Sequence, residues 1–277
     1  MKRIDAARLR AALVRPAGPY AELDVVASTG STNADLREAL VGGAGDRSVL
    51  IAEEQTAGQG RRGRTWVSPS GSGLYCSVLL RPSIPLSGLG SLAPVAGLAV
   101  LDALRAVGVE AVLKWPNDVL APLPSGDGYG KCAGILSEAA ASDEQAVILG
   151  MGLNVKAPRD TVPPAPGGLP AVSLAELADG PVSRTEVAIA LLTALDERER
   201  RWRATGGDLG SAGLLPEYLA NCVTIGHEVK IMIAGAPSLV GEAVDLDPGG
   251  ALIVRTASGE LRTIFAGDVV HLRPAAE

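Results

Sequence analysis

An α+β fold with a mixed sheet, followed by a small all-β barrel, is what the order of segments in this 277-residue chain predicts. Up to about residue 218, short apolar runs and helix-spaced repeats interleave without the strand–helix–strand cadence of a doubly wound sheet. After Tyr218 the pattern changes: VTIG, EVKIMIA, VGEAVDLD, GALIVRT and ELRTIFAG are short, β-rich and punctuated by Gly and Pro, with no helical period. A composition of 47% hydrophobic and 20% charged residues is that of a globular chain long enough for two cores. The predicted domains are therefore 1–218 and 219–277.

The opening helix is read from the spacing of Ile4, Leu9 and Leu13, and Pro16 to Pro19 ends it. A strand, AELDVV, runs into Ser28 to Asn33, where Thr32 followed by Asp35 resembles a capping box for a helix carrying Leu36 and Leu40. Ser48 to Glu53 reads as a buried strand. The stretch Gly58 to Gly73, with three arginines, serines and Pro69, is long for a silent connection and reads as a lid. Leu74 to Leu80 is a strand and Leu92 to Val107 a largely buried helix. Val109 to Leu113 is a short strand entering Lys114-Trp115-Pro116-Asn117-Asp118. Lys131 to Ser137 and Ala146 to Leu149 are strands, the latter leading into Gly150 to Val155. Ala157 to Pro170 is a proline-rich connector, and Ser183 to Arg203 an amphipathic helix with Val187, Leu191, Leu195 and Trp202 on one face.

Several function classes are excluded. A net charge of −6 gives no global positive field for a polyanion, and the first helix alone is too short for a helix-turn-helix reader, so no DNA binding is expected. The longest apolar run, about Leu86 to Leu101, contains Pro94 and falls short of a spanning helix, so no membrane association is expected. Without a secretory signal pattern, and with three cysteines lacking paired spacing, a cytoplasmic location is expected. Only His227 and His271 are present, both in the barrel segment, which argues against a metal cluster or a Ser-His-Asp triad and leaves Cys132 without an activating base.

What remains are polar clusters at strand ends. Gly58-Gln59-Gly60-Arg61-Arg62-Gly63 matches a dinucleotide fingerprint literally, but no helix start or βαβ unit follows. Its glycines and Arg61, Arg62 and Arg64 can instead hold a phosphate or carboxylate, the plainer reading being a solvated basic loop. Repulsion among the arginines favours an open loop until an anion arrives. In the KWPND segment, Lys114 is a point charge for phosphate, Trp115 a stacking or packing surface, and Asn117 with Asp118 a polar pair for nucleotide or Mg²⁺. Core packing and a turn explain the same residues equally well. Lys131 stands at the entrance to an apolar strand, with Gly134 allowing close backbone approach. Ser31, Thr32, Asn33 and Gln55 form a neutral hydrogen-bonding set suited to an amide or urea-like group, or else to capping.

Taken in order, Ser31-Thr32-Asn33, EQTAGQGRRGR (Glu54 to Arg64), KWPND (Lys114 to Asp118), KCAGIL (Lys131 to Leu136) and GLNV (Gly152 to Val155) resemble the motifs of biotin protein ligases over nearly the whole chain. The resemblance implies a catalytic domain similar to class II synthetases and lipoate ligases, then an SH3-like barrel. It implies ATP, biotin and Mg²⁺, formation of biotinyl-5'-adenylate, and transfer of biotin to one lysine of the biotin carboxyl carrier domain of acyl-CoA carboxylases. The chain starts almost directly with the catalytic segment, so it resembles the members that do not repress operons; a homodimer stays open. Carried over residue by residue, Ser31, Thr32, Asn33, Gln55, Gly58, Gly134 and Lys131 would bind biotin. Arg61, Arg62, Arg64, Trp66, Trp115, Asn117 and Asn154 would face the adenylate. Lys131, Arg61, Lys114 and Asp118 would serve the chemistry, Asp118 also the metal. Gln59 stands where the family usually has Arg. A lipoate or octanoate ligase of the same fold and a nucleic-acid-binding regulator are the competing readings.

Overall fold

Alternating apolar residues along the first part of the chain build a seven-stranded mixed sheet, seen in a computed structural model that describes residues 3–140, 143–156, 164, 168–233, 235 and 237–271. The strands are β1 (Glu22–Val26), β2 (Ser48–Ala52), β3 (Gly73–Leu80), β4 (Val112–Lys114), β5 (Asp118–Pro122), β6 (Tyr129–Ala140) and β7 (Asp143–Asn154), in the order β1-β2-β3-β7-β6-β5-β4. The β1–β2 pair is parallel and the others are antiparallel. Helices α1 (Ala6–Leu13), α2 (Thr32–Val41), α3 (Leu92–Arg105), α4 (Arg184–Ala204) and α5 (Leu215–Asn221) complete this part.

The period-two pattern divides the sheet between two cores. Val49, Ile51, Leu74, Cys76, Val78 and Leu149 point to the face covered by α3 and α4. Leu50, Leu79 and Ile148 point to the other face, where they meet Leu36 and Leu40 of α2. Helix α2 covers only part of that second face, which leaves room for a site beside it. The stretch Gly88–Arg105 is long and apolar enough to cross a membrane, contrary to the expectation from its sequence, but 72% of it is buried. It is the central core helix, packed on α4 and the sheet.

A second, five-stranded antiparallel sheet follows, with β8 (Glu228–Met232), β9 (Leu239–Leu246), β10 (Leu252–Arg255), β11 (Leu261–Ile264) and β12 (Asp268–His271) in the order β11-β10-β9-β8-β12. Helix α5 runs through residue 218, and β8 begins ten residues after it, at Glu228. Two local expectations need correcting. Ser31, not Thr32, occupies the N-cap of α2, and Asp35 accepts a hydrogen bond from Thr29 instead of closing a capping box. Asp118 to Pro122, for which no strand is expected from the sequence, form one, because Pro116 and Asn117 turn the chain back to pair Lys114 with Asp118.

Candidate active site

Toward its end strand β7 reads Leu149-Gly150-Met151-Gly152-Leu153, so over this stretch its core face is filled while the α2 side carries only glycine. Gly152 pairs with Gly134 of β6 and Gly150 with Leu136. A bare patch of sheet results, and side chains lie directly on it. A Cβ at Gly134 would stand 2.9 Å from the Trp66 ring, one at Gly152 2.6 Å from it, and one at Gly150 2.4 Å from Asn33 Oδ1. Between this floor, α2 and the arginine loop lies a cavity of about 380 Å³.

One end of the cavity is neutral. Gln55 Oε1 accepts from Thr32 N at 2.9 Å and Thr32 Oγ1 at 3.0 Å, while Gln55 Nε2 donates to Ser68 Oγ at 3.0 Å. Ser77, fully buried on β3, places its hydroxyl 2.7 Å from Thr32 Oγ1 and 2.6 Å from Asn33 Oδ1. Asn33 Nδ2 donates to Glu138 Oε2 at 2.7 Å. Ser31 is buried, makes no cap bond and lines the cavity. The set is thus held rigid by Ser77, Ser68 and Glu138, which the sequence did not single out because each is brought in by tertiary packing.

The other end is cationic. A bulge in the β5–β6 pairing sends both Cys132 and Ala133 into the core and leaves Lys131 facing the cavity. Lys131 Nζ lies 2.6 Å from Asp118 Oδ1 and 5.3 Å from the centre of the Trp66 ring. Arg61 Nη1 donates to Asn117 Oδ1 at 3.2 Å, and Asn117 Nδ2 to the Ile135 carbonyl at 2.8 Å. Burial lowers the Arg61 pKa, the mark of a desolvated cation. Asn154 Nδ2 braces the Lys131 carbonyl at 3.1 Å. Trp66 Nε1 is buried and makes no hydrogen bond. Among the described residues no group of three metal-ligating side chains occurs. A neutral donor–acceptor pocket joined to a two-cation end can take a molecule with an uncharged polar head and a carboxylate or phosphate tail.

Sequence comparison gives this shape a family. Residues 25–154 match the biotin/lipoate A/B protein ligase family and residues 224–272 the biotin protein ligase C-terminal domain. A biotin–(acetyl-CoA-carboxylase) ligase of Mycobacterium tuberculosis is 40% identical, with 98% of this chain and 96% of that protein covered. This chain belongs to the biotin protein ligase family. A bifunctional ligase/repressor of Bacillus spizizenii is 31% identical over 89% of this chain and 72% of its own. The biotin protein ligase of Aquifex aeolicus, solved in complex with biotin and ATP, superposes with a TM-score of 0.73 at 27% identity, covering 92% of this chain and all of that one.

Set against the biotin protein ligase motifs, Ser31, Thr32, Asn33, Gln55, Gly134, Lys131, Arg61, Arg64, Trp66, Asn117 and Asn154 all line the one cavity, as does Gln59. Five expected residues do not. Trp115 is 1% exposed and donates from Nε1 to the Gly250 carbonyl at 2.9 Å, so it is core beneath the barrel instead of a face for adenine. Lys114 donates to the Val269 carbonyl at 2.7 Å, and burial lowers its pKa. Arg62 is turned to Asp268 and Met232. Gly58 shapes the neck of the loop, where a Cβ would meet the Trp66 carbonyl at 2.4 Å. Asp118 stands behind Lys131. The two cysteines with raised pKa, Cys76 and Cys132, are pushed to about 12 by burial and are packing residues, not nucleophiles.

Proposed function

We propose that this chain is an ATP-dependent biotin protein ligase that joins the biotin carboxylate to the α-phosphate of ATP, releases pyrophosphate, and passes the biotinyl group to a lysine amine of a biotin carboxyl carrier domain. The observation that carries the reading is that one cavity joins a neutral hydrogen-bonding end, with Ser31 making no cap bond, to a cationic end. The neutral end fits a ureido ring, whose donors and acceptors need fixed partners, and it disfavours a plain acyl chain by leaving those partners unmet. At the other end two anions must approach one another before the acyl phosphate bond forms. Lys131 and Arg61 make that approach tolerable and hold the reacting oxygens together.

Asp118 keeps the Lys131 ammonium aimed along the cavity until substrate oxygens compete for it. The Trp66 indole N–H, buried against the glycine floor without a partner, is a further donor toward a ligand in the cavity. Attack of the carrier amine on the acyl carbon then expels AMP. Magnesium would enter as the companion of ATP: among the described residues no group of three metal-ligating side chains occurs, and Asp118 is committed to Lys131. The three free, buried thiols suit a reducing compartment such as the cytoplasm. The test is pyrophosphate release from ATP with biotin or with lipoate, followed by mass spectrometry of a carrier domain. Biotin-dependent release and one added biotin mass are expected; release with lipoate alone would overturn the substrate assignment, and silence with both the enzymatic one.

A further inference from the structure

Three clustered arginines need counter-ions, and the fold brings one from 204 positions along the chain. Asp268, the first residue of β12, is 9% exposed and is received by the arginine loop as a fork. Its Oδ1 accepts from Arg64 Nη2 at 2.8 Å, and its Oδ2 from Arg64 Nη1 and Arg62 Nη1, both at 3.0 Å. Arg62 Nη1 also donates to the Met232 carbonyl at 3.2 Å, and Arg61 Nη1 to the Gly267 carbonyl at 3.4 Å. Every loop arginine therefore touches the barrel.

The local conformation supports the same view. Arg62 has φ of 58°, a left-handed backbone that a residue with a Cβ adopts at a cost and keeps only when surrounding contacts over-determine it. Burial pushes the Asp268 carboxyl up, but the hydrogen bonds and charges of Arg64 and Arg62 outweigh it and hold its pKa below the usual carboxylate range. Scattered surface ion pairs contribute little, yet this one differs in being bidentate and in having a carboxylate only 11% exposed. Two of the three loop arginines thereby share one buried carboxylate inside the protein. Arg61, which Asp268 does not hydrogen-bond, stays turned toward Asn117 and the cavity.

We propose that Asp268 is a positioning residue: reaching from the barrel, it clamps the Gly58–Trp66 loop over the cavity and so fixes Arg61 and Trp66 for the adenylate. The activity part of this proposal rests on the ligase reading above; the clamp itself does not. Ionic clamping explains how a loop whose arginines repel one another is held closed by an anion of the chain itself.

Two measurements on the full-length chain test it. Ligand-free protein is exposed to trypsin and cuts after Arg61, Arg62 and Arg64 are followed by mass spectrometry. D268N is expected to be cut there about tenfold faster than the parent, with D268E largely restoring protection, because cleavage follows local opening. Biotinyl adenylate formed in a single turnover is then timed as it leaves the enzyme. D268N is expected to release it about tenfold faster while its KM for biotin changes less, a split that simple loss of barrel stability would not give. Equal cleavage and equal release in D268N and the parent would overturn the proposal. A parent that makes no adenylate defeats the ligase reading and leaves the trypsin result to decide the clamp. Should D268N melt much earlier than the parent, R62A removes the Arg62 part of the contact from the loop side, where the side chain does not line the cavity. With cuts after Arg61 and Arg64 alone compared, since position 62 is then no trypsin site, it is expected to shift both readouts the same way, and unchanged readouts in R62A would again overturn the proposal.

Discussion

Gly152 and Gly134 face one another across β6 and β7, and their missing side chains are what let the Trp66 ring lie on the sheet. Gly152→Ala puts a methyl group 2.6 Å from that ring, against atoms of an indole that has packed sheet below it and the loop above. The expected outcome is a displaced Trp66 and an adenylation KM raised about tenfold, roughly 1.4 kcal/mol, with little change in melting temperature. Steady-state kinetics beside a thermal melt checks it, and an unchanged KM would refute the packing argument. Gln55 makes a different point. Its amide is spent on Thr32 and Ser68, so it acts on a ligand by holding Thr32 in place. Gln55→Leu leaves the buried Thr32 N–H and hydroxyl short of an acceptor, for a stability loss of about 1–3 kcal/mol and weaker biotin binding. Urea unfolding and equilibrium biotin titration measure the two effects; intact biotin affinity would show that Thr32 needs no support.

At the scale of elements, α4 is fastened to the start of β2 by charges instead of by its apolar face alone. Arg47, buried, donates to Asp196 and to Glu199 of α4, and Arg203 joins Glu199 to Asp46. Burial raises the Glu199 pKa in spite of both arginines, a sign of how little water reaches the cluster. Arg47→Ala takes the buried partner from both carboxylates, leaving Asp196 with the exposed Arg200 and Glu199 with Arg203, and is expected to cost about 3 kcal/mol of stability, without a direct effect on the cavity. Denaturant melts with activity measured well below the midpoint would show it; a loss under 1 kcal/mol would mean that water solvates the carboxylates. Elements of this kind were readable when long and periodic: Val187, Leu191, Leu195 and Trp202 announce α4, and Leu74 to Leu80 announces β3. Strand β5 was not, because β4 and β5 together pair only three residues with three and their turn carries Pro116 and Asn117, the residues of a loop. Likewise the motif residues that line the cavity were legible, whereas Ser77, Glu138 and Asp268 were not. Each contributes through partners 44 to 206 positions away, and nothing local marks such a residue.

For the molecule as a whole, the barrel is part of the catalytic half's core. Trp115 N donates to Thr224 Oγ1 at 3.0 Å and its indole to Gly250, while Lys114 crosses to Val269. Beside this junction His271 stacks on His227 with ring centres 5.5 Å apart and lies 3.3 Å from Thr224 Oγ1. Burial, then the Lys114 ammonium, then His227 lower the His271 pKa from 6.5 to about 4. In the unfolded chain the imidazole titrates at its ordinary value, so between pH 6.5 and 4 the unfolded state binds more protons than the folded one. Stability from this group is therefore complete above about pH 6.5 and is lost as the pH falls toward 4. Since His271 is only half-buried, solvent screening reduces the effect to on the order of 1–2 kcal/mol. His271 ends the strand that Asp268 begins, and the Asp268 carboxylate, held below its usual range, stays charged over most of this interval. Acid should accordingly loosen the loop by destabilising β12 and not by discharging its clamp. Urea unfolding from pH 7.5 to 4.5, with adenylate release timed in the same buffers, compares the parent with His271→Gln. A flatter stability profile and a flatter release profile in the variant are expected; parallel profiles would assign the acid sensitivity to carboxylates elsewhere in the fold.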